Sequence, residues 1–113
     1  MTEARRGQIW LVDFGVPVGN EQGKVRPALV VSSDDWNHHA SILTVLPFTR
    51  TQHGYPTRVE VESSADNGLE ATSYARCEDI RSISERRLVR SLGRIDDLIM
   101  LTVSRTMRLF LDA

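Results

Sequence analysis

Ala28, Leu29, Val30 and Val31 follow one another with no polar residue between them. Four apolar residues in a row leave a strand no solvent side, so this segment reads as a strand covered on both faces. That is a demanding requirement for a chain of 113 residues, which has material for one modest core. Pro27, just upstream, fixes its own φ and biases Arg26 toward extended backbone. Arg26 therefore stands at the mouth of a rigid strand, beside a polar loop bounded by Gly19 and Gly23. A permanently charged, forked donor held there suits binding of a phosphate. A surface ion pair at a strand start accounts for the same residue equally well.

The rest of the pattern is short and often interrupted. Ile9 and Leu11 alternate with Trp10, Val12 and Phe14, which predicts a first strand over residues 8–14. A loop over 15–25 follows, long for a hairpin, and loops of that length tend to carry function. Ser33 is placed to cap a helical turn through Trp36. Residues 41–48 read as a third strand halted by Pro47, and 57–62 as a half-exposed strand with Arg58, Glu60 and Glu62 outward. A further strand is predicted over 71–78, a capping box at Ser82–Glu85 opens a short helix through Leu88, and 89–95 returns as a strand containing Gly93. Asp96 caps a last helix to about Leu111, with Ile99, Val103, Met107, Phe110 and Leu111 on one stripe. The expected architecture is α+β but mostly β: a small, strongly bent antiparallel sheet or barrel in one domain, 1–113.

Charge is informative through its make-up rather than its sum. The net charge is -1, yet Lys24 is the only lysine and the other thirteen basic residues are arginines. Arginine forks onto phosphates and stacks on bases better than lysine, although a GC-rich genome produces the same skew. A nucleic-acid binder with this balance must gather its arginines locally. No apolar run approaches the roughly 20 residues that cross a bilayer, no signal-peptide core precedes Gln8, and Cys77 is the single cysteine. A soluble, cytoplasmic protein is expected, with no membrane association. His38 and His39 are adjacent and no Cys or carboxylate pattern completes a zinc site, so neither metal nor cofactor is expected.

Four segments together resemble the MazF/PemK family of toxins from bacterial toxin–antitoxin modules. They are R-G-Q-I-W-L-V-D-F at Arg6–Phe14, the E-Q-G loop with R-P-A-L-V-V-S at Arg26–Ser32, V-L-P-F-T at Val45–Thr49, and R-C-E-D-I-R-S-I at Arg76–Ile83. The resemblance implies an SH3-like barrel with appended helices, a homodimer, metal-independent cleavage of single-stranded RNA, and neutralisation by a cognate MazE-like antitoxin with a flexible acidic tail. A non-catalytic toxin of the same architecture, poisoning a protein such as DNA gyrase, is the alternative.

Metal-free RNA cleavage uses the ribose 2′-hydroxyl as nucleophile, so the enzyme supplies a base, a proton source and positive groups for the phosphorane. Arg26 occupies the position the family uses catalytically, and Thr49 at a strand end can donate to the same phosphate or serve only as a turn residue. Arg76 and Glu78 are two apart, so on a regular strand they share a face. Relatives carry Arg-Cys-Asp there, with the acid as base and the arginine as acid or stabiliser; a same-face ion pair is the other reading. Arginine stays protonated in proteins, which favours an electrostatic role for Arg76. RNA contacts are expected from Asn20, Glu21, Gln22, Arg50, Tyr55 and Ser73, with Tyr55 stacking on an unpaired base. Some relatives have His at the position of Asn20, and a small polar residue is common where this chain has Arg50.

Overall fold

In the computed structural model, which describes residues 3–16, 19 and 24–113, seven strands form one antiparallel sheet. The strands are β1 (Gln8–Asp13), β2 (Val25–Val30), β3 (Ile42–Thr49), β4 (Arg58–Val61), β5 (Ser73–Arg76), β6 (Arg81–Ser84) and β7 (Leu88–Arg94). Helix α1 (Asp34–His39) joins β2 to β3, and α2 (Asp97–Leu111) ends the chain. The order across the sheet is β4-β5-β3-β2-β1-β7, with β6 beside the first half of β3.

The apolar run at 28–31 does what its pattern requires. Leu29 and Val31 enter one core with Ile9, Leu46, Phe48 and Ala75, while Ala28 and Val30 enter a second with Val12, Val45 and Ile83. Helix α2 covers the first core with buried Val103 and partly buried Ile99, Met100 and Met107. The predicted stripe stops there: Phe110 and Leu111 are 44% and 52% exposed, Leu111 lining an open groove with Val31, Thr44, Ile80 and Met107.

Three local expectations need correction. Strand β3 runs through Pro47 to Thr49 rather than halting. On that edge β6 pairs last at Val45 and β5 first at Phe48, so Pro47 falls in the gap where a missing N–H breaks neither ladder. The strand predicted over 71–78 is confined to Ser73–Arg76, and Cys77–Asp79 turns as a 3₁₀ helix. Ser82 lies within β6; Ser84 is the residue that caps the following 3₁₀ turn (Glu85–Arg87), its Oγ accepting from the Arg86 N–H at 3.2 Å.

The sheet bends strongly but does not close by pairing of its outer strands, β4 and β7. The turn between β4 and β5 spans the interval instead, with the Arg94 N–H donating to the Asp66 carbonyl at 2.9 Å. Two glycines permit this approach. A Cβ on Gly68 would lie 2.3 Å from the Leu92 carbonyl oxygen, and one on Gly93 2.1 Å from that of Asp66. Buried Asn67 fixes the turn, accepting from the Ser64 and Leu69 N–H groups at 3.0 Å each and donating to the Glu62 carbonyl at 2.8 Å.

Candidate active site

Strand register brings Arg26 and Thr49 together. β2 pairs with β3 from Val30–Val45 to Ala28–Pro47, and Arg26 and Thr49 each lie two residues beyond that last pair, at the same end of the two strands. Both line a cleft of about 710 Å³ at the end of the sheet, floored by Leu11, Phe48 and Leu92. Arg50, Thr51, Ser73 and Arg90 share its walls with Glu70, the one carboxylate among the described residues lining it. Arg50 pairs with Glu70 at 3.3 Å across the opening, both side chains exposed. Thr49 Oγ1 accepts from the Thr51 N–H at 3.4 Å and lies 3.1 Å from the Thr51 hydroxyl. The Ser73 hydroxyl donates to the Ala71 carbonyl at 2.9 Å, leaving its lone pairs to accept.

Arg76, Glu78 and Tyr55 are not in that cleft. They form a second cluster around Arg58, which stands opposite Arg76 across β4 and β5. Glu78 is in the 3₁₀ turn rather than on a strand, yet its carboxylate still meets Arg76, at 3.3 Å from Nε. The same oxygen accepts from Arg58 Nε at 3.0 Å, and the other accepts from the Thr57 hydroxyl at 2.8 Å. Burial alone would raise the Glu78 pKa; hydrogen bonds from its own N–H, Thr57, Arg58 and Arg76 outweigh that and hold it below the usual carboxylate range. Arg76 also reaches Asp79 at 3.8 Å, and Asp79 pairs with Arg81 at 2.8 Å.

Asn20, Glu21 and Gln22 lie outside the described residues. Arg58, Glu70 and Arg90 belong to the two clusters although their sequence context did not mark them. Alternation along β4 predicts an outward, solvated Arg58, whereas its side chain is 7% exposed because the Cys77–Asp79 turn folds Glu78 over it. Arg90 faces the cleft on β7 opposite Leu11, and the alternation Arg90/Leu92 was its only signal. Among the described residues no three His, Cys, Asp or Glu side chains group closely enough to hold a metal ion.

A bent antiparallel sheet with an arginine-rimmed cleft at its end defines a small domain suited to gripping a phosphodiester. The chain belongs to the PemK-like, MazF-like toxin family of type II toxin–antitoxin systems, whose family model matches residues 5–111. It is 37% identical over 114 residues to endoribonuclease MazF9 of Mycobacterium tuberculosis, covering 96% of each chain. To endoribonuclease EndoA of Bacillus subtilis it is 32% identical over 109 residues, covering 95% of this chain and 93% of the relative. Its fold superposes on a mycobacterial endoribonuclease solved in complex with its cognate antitoxin, with a TM-score of 0.80, 24% identity, and 96% and 95% of the two chains covered. No helix is long and apolar enough to cross a membrane among the described residues.

Proposed function

We propose that the chain is a toxin endoribonuclease that cuts single-stranded RNA without a metal ion and is held inactive by a cognate antitoxin. The supporting observation is that Arg26 and Thr49, from the ends of neighbouring strands, line one cationic cleft. The ribose 2′-oxygen attacks the adjacent phosphorus and loses its proton; the P–O5′ bond breaks and O5′ gains one. The products are a 2′,3′-cyclic phosphate and a 5′-hydroxyl. Arg26 supplies a two-pronged, permanently protonated donor to the equatorial oxygens, where negative charge accumulates. The Thr49 hydroxyl adds a third donor, and Arg76 supports the charge from the neighbouring cluster. Glu78 already accepts three side-chain hydrogen bonds, so its role is to hold Arg76 and Arg58 in place. Asn20, Glu21, Gln22, Arg50, Tyr55 and Ser73 contact the RNA on either side.

The antitoxin's acidic tail occupies the same cleft, drawn by Arg26, Arg50 and Arg90. The toxin works in the cytoplasm as a homodimer, which would cover some of the exposed apolar side chains such as Trp36, Val89, Leu101 and Leu109. The test is a defined transcript incubated with purified protein in excess EDTA, with the cut ends sequenced and their phosphates mapped. Cleavage is expected to survive chelation, and Arg26→Ala is expected to slow it about 100- to 1,000-fold. Growth arrest that survives Arg26→Ala but disappears on removal of residues 107–113 would instead support a poison acting on a protein target.

A further inference from the structure

Two clusters carry the proposed chemistry, and one side chain joins them. Arg58 donates from Nε to Glu78 at 3.0 Å and from its Nη1 to the Thr51 carbonyl at 2.8 Å. Thr51 in turn bonds the Thr49 hydroxyl, so a continuous path runs from Thr49 through Thr51 and Arg58 to Glu78 and Arg76. The guanidinium also lies over the Tyr55 ring, with Cζ 4.5 Å from its centre. Tyr55 sits on the loop between β3 and β4 and is 51% exposed, flanked edgewise by His53 at 6.3 Å.

A planar cation buried beneath an exposed aromatic ring fixes that ring without using up its outer surface. The loop's other bonds hold backbone rather than the ring: the Tyr55 N–H reaches the Gln52 carbonyl at 3.3 Å, the Arg58 N–H reaches the Tyr55 carbonyl at 3.2 Å, and the Gln52 amide reaches the Arg58 carbonyl at 3.5 Å. Fixing the ring in advance removes the ordering cost that a mobile tyrosine would incur when a base arrives. Resting on the nuclease reading above, we propose that Arg58 is a positioning residue that presents Tyr55 as a stacking platform for one unpaired base beside the scissile phosphate, while keeping Thr49 in register with Arg76.

Abasic nucleotides walked through a defined cleavage site test this. In the wild type one position near the cut shows a KM penalty of roughly 5- to 150-fold, the range of base–aromatic stacking. The penalty disappears in Tyr55→Ala, which raises KM more than it lowers kcat, and survives in Tyr55→Phe. Arg58→Lys keeps the charge but cannot serve Thr51, Glu78 and the ring together. It therefore loses the penalty, lowers kcat as well, and speeds hydrogen exchange of the Thr51–Thr57 amides. A full-size penalty in Tyr55→Ala or in Arg58→Lys overturns the proposal. An uncleavable 2′-O-methyl strand carrying 2-aminopurine separates this from the nuclease reading. Quenching that depends on Tyr55, in a protein that cuts no RNA, keeps the platform and removes the nuclease; cleavage with no Tyr55-dependent position does the reverse.

Discussion

Glu78 shows how far a fold can bend the chemistry of one carboxylate. Its folded pKa lies below the unfolded value of about 4.3, so between the two the unfolded chain binds the extra proton and stability rises with pH. The contribution is complete above that window and is lost as pH falls through the folded value. Urea midpoints of wild type and Glu78→Gln should therefore differ most near neutrality and converge in acid; a gap of constant size would contradict the assignment. Cys77, next to it, is fully buried, and burial first, then the Glu78 charge, pushes its thiol up to about 12. It should stay inert to an aromatic disulfide reagent at pH 8 until denaturant is added. Arg6 acts structurally: it donates to the Val31 carbonyl and, at 2.8 Å, to Ser104, pinning the start of the chain to α2.

Among the elements, β1, β2, α2 and the Ser33 cap were readable because each depends on its own residues. The Trp36 N–H meets Ser33 Oγ at 3.2 Å, and the Leu98 N–H meets Asp96 Oδ1 at 2.8 Å, as cap chemistry demands. The misreadings share a different cause. Pro47 is tolerated because β3 changes partners there, and the 71–78 segment breaks because its turn must deliver Glu78 to Arg58; neither fact is local. The site followed the same division. Arg26 and Thr49 were legible from strand ends, whereas Arg58 looked like a solvated charge until a turn 20 residues away covered it. The glycines give a test of the bridging turn. Gly93→Ala forces a Cβ into the Asp66 backbone and should cost at least about 2 kcal/mol by urea unfolding. Gly54→Ala, where a Cβ meets nothing within 4 Å, should cost only the strain of its +71° φ, about 1 kcal/mol.

Over the whole molecule, a net charge of -1 coexists with a cleft whose charged lining, among the described residues, is Arg26, Arg50 and Arg90 against Glu70. Sorting charge by location lets the protein attract a polyanion without coating itself in cations. Three neutralised phosphates predict a slope of about -2 for log affinity against log salt on single strands, and Arg90→Ala should make it shallower by about 0.7. A slope near zero would mean that these arginines do not meet the backbone of the RNA.

The interval between β4 and β7 is spanned by a turn rather than by strand pairing, and the loop carrying Tyr55 likewise lies outside the ladders. The two differ in what they tolerate: the turn has no room for a side chain at Gly68 or Gly93, whereas a Cβ on Gly54, beside Tyr55, would meet nothing within 4 Å. Substitutions beside Tyr55 can therefore reshape the surface there at little cost to the sheet that holds Arg26 and Thr49, while the bridging turn admits none at these glycines.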